Sequence, residues 1–300
     1  MSDRSCRDQP PSWPIRILDH HGTDPRLGRF LDLVAMALWT SGLEASWSRS
    51  APDAFDEQVV YVAHDPVAPP RSPGIHLFGQ RLLNRRQRLQ IASRLGLAVV
   101  PWSSPCSLDC AMGLFDLWET RHILWKRDES FSRKGVRPVT RAELPGLDFE
   151  AGADVFMPIL QTDPATIKVD AFFDRVIAAR RFDTKSVFDP RFHQTVATVE
   201  WLDLPAPLTE ELAALGVVLA SYGCAYWSAD LMAWNGGLGI IELNTCSVGR
   251  KLTWPFAERL YLRGYCSGLK RLVGHSDPCC LGEALERVRR LDEEHRCPCS

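Results

Sequence analysis

The stretch Cys224-Ala-Tyr-Trp-Ser-Ala-Asp230-Leu-Met-Ala-Trp-Asn235-Gly-Gly-Leu-Gly-Ile-Ile-Glu242-Leu-Asn244 decides how this chain is read. Two apolar runs flank Asn-Gly-Gly, a strong β-hairpin signal. With Asn235, Gly236 and Gly237 as a three-residue loop, Trp234 pairs with Leu238 and Asp230 falls opposite Glu242. A two-residue loop would shift that pairing by one and spoil it. Asn244 stands two residues beyond Glu242 and shares its face. Three oxygen side chains then converge from two neighbouring strands.

Mixed carboxylate and amide oxygens suit a hard cation such as Mg2+, which keeps waters and substrate phosphates in its shell. A cation held this way neutralises charge as a phosphoryl group moves. The plainer reading makes Asp230 and Glu242 polar edge residues of an ordinary hairpin. Both, however, sit within runs that read as buried: Tyr226, Trp227 and Leu231 around one, Ile240, Ile241 and Leu243 around the other. A buried carboxylate without a partner is costly, so a metal is expected.

Upstream, Lys126 ends the apolar run Ile123-Leu124-Trp125 and precedes the polar segment Arg127-Asp-Glu-Ser130-Phe-Ser-Arg-Lys134. A strand-end ammonium can sit on a phosphate while loop N–H groups cover it, although surface strands commonly end in Lys. Walker-type and dinucleotide-binding glycine fingerprints are absent. Between this loop and the hairpin lie the strands Val155 to Leu160, Thr166 to Phe173 and Arg175 to Phe182, the last two forming a hairpin that turns at Asp174-Arg175. Lys168, Arg180 and Arg181 on that hairpin could face a triphosphate or a substrate carboxylate; each could equally be a solvated strand end.

The rest of the chain frames these motifs. Residues 1–14 read as a loose leader. A short apolar run from Ile15 to Leu18, a helix over Gly28 to Leu43 and a strand over Val59 to Val62 predict a small α/β lead domain over 15–83 with parallel pairing. The second domain, 84–272, opens with an amphipathic helix from Leu82 to Leu95 and a strand from Leu97 to Val100. Thr209 is expected to cap a helix that ends before Gly223. Helices over Thr253 to Leu272 and Gly282 to Glu294 close the chain, the second within a cysteine-containing tail, 273–300.

With 35 basic and 37 acidic residues spread along 300, no basic stripe marks a nucleic-acid partner. The longest apolar stretches are too short to span a bilayer, and the N-terminus lacks a secretory core; a cytoplasmic protein is expected. Ten cysteines read chiefly as small packing residues. Cys279, Cys280, Cys297 and Cys299, with His275 and His295, fit zinc spacing poorly and read as tail thiols.

In this order, a strand-end lysine, a covering loop, a hinge strand, a basic hairpin and a terminal Asp…Glu-x-Asn resemble the ATP-grasp superfamily. The resemblance runs from about Asn84 to Leu272. It is nearest to the ribosomal-protein glutamate ligases and the graspetide macrocyclases, the latter through the Lys126-x3-Ser130-Phe131 loop and the 166–181 hairpin. It implies an α+β fold of two subdomains clasping a nucleotide after an α/β lead domain, with ATP and Mg2+ as cofactors. It also implies an acyl phosphate route joining a carboxylate to an amine or hydroxyl, a precursor peptide being one candidate substrate and a homo-oligomer being compatible.

By the same resemblance Lys126 and Ser130 cover the phosphates, and Met157, Ile159 and Leu160 line the adenine pocket. Asp230, Glu242 and Asn244 hold the metal. Lys168, with Arg180 or Arg181, faces phosphate or the reacting carboxylate. The loop after Lys126 is poorer in glycine than in many relatives, and Met157-Pro158 lacks a nearby glutamate. Two other readings stay open: a nucleotide-binding scaffold or peptide receptor without catalysis, and a small-molecule kinase that stops at the phosphorylated product.

Overall fold

The computed structural model describes residues 13–19, 25–64, 67, 70–80, 82–128, 135–160, 165–183, 199–245, 257–274 and 278–294. A parallel sheet forms from β1 (Ile15–Leu18), β2 (Ala45–Ser48), β3 (Val60–Ala63) and β4 (His76–Phe78), in the order β2-β1-β3-β4, with β-branched residues in its two central strands. Helix α1 (Pro25–Trp39) covers it. Leu27, Phe30, Leu31, Val34 and Leu38, at helical spacing, are buried against Ile15, Ile17, Val60 and Val62.

Helix α2 (Arg85–Arg94) starts at Asn84, whose side chain and that of Gln87 form a reciprocal capping box. Residues 97–100, expected as a strand, make only an isolated parallel bridge, Val99 to Ile240. Next come α3 (Leu108–Leu117) and a three-stranded antiparallel sheet of β5 (His122–Lys126), β6 (Val136–Thr140) and β7 (Val155–Pro158), ordered β6-β5-β7. Ala111, Leu114 and Phe115 of α3 pack on Ile123, Trp125, Val139 and Phe156 to give this unit its own core.

The largest sheet is antiparallel: β8 (Ala165–Phe172), β9 (Arg175–Asp183), β10 (Val199–Leu202), β11 (Tyr226–Trp234) and β12 (Gly237–Asn244), ordered β10-β9-β8-β11-β12. One face carries Val169, Ala171, Ala179, Trp227, Ala229, Leu231, Ile240 and Leu243, covered by Leu212, Leu215 and Leu219 of α4 (Ala206–Ala220). That helix begins after Pro205, so Thr209 lies inside it rather than at its cap; proline fits the first turn, where no backbone donor is needed.

Two helices knit the ends together. Tyr261, Tyr265 and Leu269 of α5 (Ala257–Gly274) share a core with α1, the parallel sheet and Phe172, and Tyr265 Oη lies 2.6 Å from His64 Nε2. Helix α6 (Leu281–Glu294) docks its N-terminus on the backbone of Pro73 and Ile75, and its Asp292 accepts from Arg86 and Gln87 of α2. Of the chain after 273, the described residues 278–294 are thus packed against the rest. Cys279 Sγ rests on the Ser221 carbonyl at 3.1 Å. His275, His295, Cys297, Cys299, Ser130 and Cys246 lie outside the described residues. Among the described residues no helix is long and apolar enough to cross a membrane.

Candidate active site

The decisive hairpin turns differently from the sequence expectation and reaches the same pairing. Trp234 pairs with Gly237, so the loop has two residues, Asn235 and Gly236, with φ of 47° and 78°. This is the turn that asparagine and glycine favour, both residues sitting in the left-handed region. Leu231 then pairs with Ile240, but the register shifts at the next step and Asp230 pairs with Glu242. Ile241 is the extra residue of a β-bulge. Ile240 and Glu242, two apart, would otherwise share the apolar face; the bulge turns Glu242 to the other side.

A polar row follows across the sheet. Arg180, Lys168, Asp230 and Glu242 are successive cross-strand neighbours on β9, β8, β11 and β12. One step along, Asp170 pairs with Ser228 and Ser228 with Asn244 on the same face. Lys168 Nζ donates to Asp230 Oδ1 at 2.8 Å. Burial lowers the Lys168 ammonium, but Asp230, Glu242 and Asp170 together hold it above its ordinary value. Burial likewise raises Glu242, yet Arg85, Lys126, Lys168 and the Asn244 hydrogen bond outweigh it and hold the carboxyl at about 2.

Lys126 comes from the three-stranded sheet. Its Nζ donates to the Ile241 carbonyl at 2.7 Å, and burial, partly offset by Glu242 and Asp230, brings it down to about 8. The strand end is fixed by Asp154, which is fully buried and accepts from Trp125 Nε1, the Asp128 amide and the Glu150 amide at 2.9, 2.9 and 3.0 Å. Asp128 in turn accepts from the Arg85 amide at the start of α2.

Two contributors escaped sequence reasoning. Arg85 Nη2 lies 3.6 Å from Glu242 Oε1 with its side chain buried. Helix α2 opens with Arg85, Arg86 and Arg88 and no acid in its first turn, opposite to what the helix dipole prefers, a pattern that anions brought from other elements offset. Asp154 left no comparable signal.

Other expected positions fall as follows. Met157 is buried in β7, with Ile159 and Leu160 half-buried just beyond it, and Leu160 packs into the core that includes Met157, Leu231 and Ile240. Arg180 is on the polar face but buried in an ion pair with Asp170. Arg181 pairs with Ile167 and so points to the opposite face.

The donor set of Asp230, Glu242 and Asn244 fits magnesium: all are hard oxygen ligands on one face of adjacent strands, and Glu242 is ionised at neutral pH. The groups flanking it are cations from three directions, Lys168, Lys126 and Arg85, suited to a polyanion.

This architecture is the ATP-grasp fold, as comparison with solved structures shows. No family model matches the chain, and no curated protein does. Over 86% of this chain and 96% of its own, the ATP-grasp ligase PsnB, solved with a minimal precursor, Mg and ADP, superposes at a TM-score of 0.55 and 14% identity. The D-cycloserine synthetase DcsG does so at 0.53 and 15%, covering 85% of this chain and 99% of its own. The macrocyclase MdnC from Microcystis aeruginosa MRC, bound to its precursor peptide MdnA, reaches 0.52 and 13%, covering 83% and 98%.

Proposed function

We propose that this chain is an ATP- and magnesium-dependent ligase that phosphorylates a carboxylate and passes the acyl group to an amine or hydroxyl. The observation that carries it is the row Lys168–Asp230–Glu242, with Asn244 one step along the same face and Lys126 reaching it from the three-stranded sheet. Oxygen donors and a lysine on one sheet, with a second lysine reaching them from another, suit a metal-bound triphosphate and have little use in an apolar ligand site.

In this reading Lys126, and Ser130 in the segment after it, contact the phosphates, while Met157, Ile159 and Leu160 form the apolar wall for the base. Asp230, Glu242 and Asn244 hold magnesium, which would supply neutralising charge on the polyphosphate. Lys168 faces the γ-phosphate and the incoming carboxylate. A carboxylate oxygen bonds to the γ-phosphorus as the bond to the β,γ-bridging oxygen breaks and ADP leaves. The amine or hydroxyl then bonds to the acyl carbon, the C–O bond to phosphate breaks, and the nucleophile's proton goes to solvent. The cationic row lowers the cost of charge moving onto ADP, and shielding from water spares the acyl phosphate.

Peptide substrates are favoured because similar structures, PsnB and MdnC, are solved with precursor peptides; ATP supply places the reaction in the cytoplasm. The test incubates the protein with ATP, Mg2+, a panel of carboxylates including acidic peptides, and hydroxylamine. A magnesium-dependent hydroxamate is expected. A phosphate ester without hydroxamate would make it a kinase, and nucleotide binding without turnover of any carboxylate would make it a scaffold.

A further inference from the structure

Of the three carboxylates on the sheet face of Lys168, two are its immediate neighbours and Glu242 lies one strand further on. Asp230 is directly opposite on β11, and Asp170 is two residues along β8, about 7 Å away by strand geometry. A lysine's flexible four-carbon stem can serve either. It bonds Asp230.

Asp170, by contrast, is closed. It is fully buried; its Oδ2 accepts from Arg180 Nη2 and from Tyr261 Oη at 2.5 Å, and its Oδ1 from Tyr226 Oη at 3.2 Å. Arg180 is 1% exposed, with Phe182 and Trp201 rings at 5.5 and 5.7 Å from its guanidinium carbon. A guanidinium held among Asp170 and two aromatic rings does not present its charge to a ligand on the row. It is nevertheless the direct cross-strand neighbour of Lys168, and two adjacent cations are tolerable there because Asp170 takes one of them.

We infer that Arg180 is a positioning residue: by occupying Asp170 it leaves Lys168 to Asp230 and so places the ammonium on the metal row. Its removal would take from the buried Asp170 carboxylate the guanidinium paired with it, and the ammonium of Lys168, two residues along β8, would turn to that carboxylate. The inference rests on the ligase reading only for its effect on nucleotide; the place of the ammonium is independent of activity.

The experiment compares crystal structures and ATP affinities of the full-length wild type, Arg180→Gln and the double variant Asp170→Asn/Arg180→Gln. In Arg180→Gln, Lys168 Nζ is expected on Asp170, and ATP affinity in magnesium falls about tenfold, the size of one charge-assisted contact. In the double variant, which buries no ion at the pair, Lys168 returns to Asp230 and the affinity recovers. Lys168 remaining on Asp230 in Arg180→Gln, or a double variant no better than the single, overturns the inference. Where Arg180→Gln does not fold, Asp170→Asn with Arg180 retained decides: the guanidinium, no longer neutralised by Asp170, is expected to displace the adjacent Lys168 ammonium from Asp230, and Lys168 unmoved on Asp230 overturns the inference. A wild type that yields no hydroxamate sinks the ligase reading and leaves the Lys168 positions readable.

Discussion

The ammonium of Lys126 meets the carbonyl oxygen of Ile241 at 2.7 Å, across the space between the two antiparallel sheets. Ile241 is the bulged residue of β12. One irregularity therefore does two things: it rotates Glu242 to the face of Asp230, and it offers an acceptor that seats a lysine above that carboxylate pair.

Nucleotide affinity should fall as pH rises above about 8. Burial holds the Lys126 ammonium near that value rather than at 10.5, and the neutral amine gives up its attraction for phosphate. The stability contribution has the opposite sign. Between about 8 and 10.5 the unfolded chain binds more protons at this residue than the folded one, so its contribution to stability rises with pH across that window. ATP titrations from pH 7 to 10 on the wild type and Lys126→Arg test this; an unchanged alkaline decline in Lys126→Arg would assign it to another group.

Glu242→Gln should cost stability at pH 7 by roughly 2 kcal/mol, because cations from three elements lose their shared anion. Glu242 titrates near 2 in the folded protein against an ordinary 4.5, so the stability it supplies is complete above 4.5 and is lost as pH falls through about 2. Urea unfolding at several pH values should show wild type and variant converging over that interval. The same variant should lose about a hundredfold or more in hydroxamate formation, and a magnesium response equal to wild type would remove Glu242 from the ligand set.

Asp154→Ala should lower stability by about 3 kcal/mol or more, since it strands the Trp125 indole N–H and the amides of Asp128 and Glu150 in a buried place. Thermal unfolding reads the loss. Because Asp128 also ties to the start of α2, weakened ATP binding should accompany it in protein that remains folded.

Gly216→Ala should destabilise by roughly 1–3 kcal/mol although alanine is the better helix former. A Cβ at this point of α4 would stand 1.9 Å from the Phe173 carbonyl oxygen and 2.9 Å from Trp227 Nε1, the two atoms that bond each other at 3.0 Å. Denaturant melts decide the sign; a stabilised variant would mean that α4 shifts freely over the sheet.

Much of the fold was legible because the signals were local. Alternation marked β8 and β9, helical spacing marked α1, and Asn235-Gly236 announced the turn of the decisive hairpin. Local signals do not settle the hairpin's register: a three-residue loop through Gly237 and a two-residue loop with a bulge at Ile241 give the same facing of Asp230 and Glu242, and the pairing follows the second. Short strands with little apolar content, such as β2 over Ala45–Ser48 and β6 over Val136–Thr140, were missed because their pairing energy lies in neighbours remote in sequence.

From its residues alone this chain determines which groups can bear charge and how far apart they stand along each strand, since chemistry and a period of two are local properties. Only the tertiary structure decided which charges meet. A bulge set the side on which Glu242 emerges, packing brought Arg85 and Lys126 to it, and burial locked Arg180 onto Asp170 while leaving Lys168 for Asp230. Such choices are settled by the cost of burying an ion without a partner, and the partners come from strands and helices far apart in the chain.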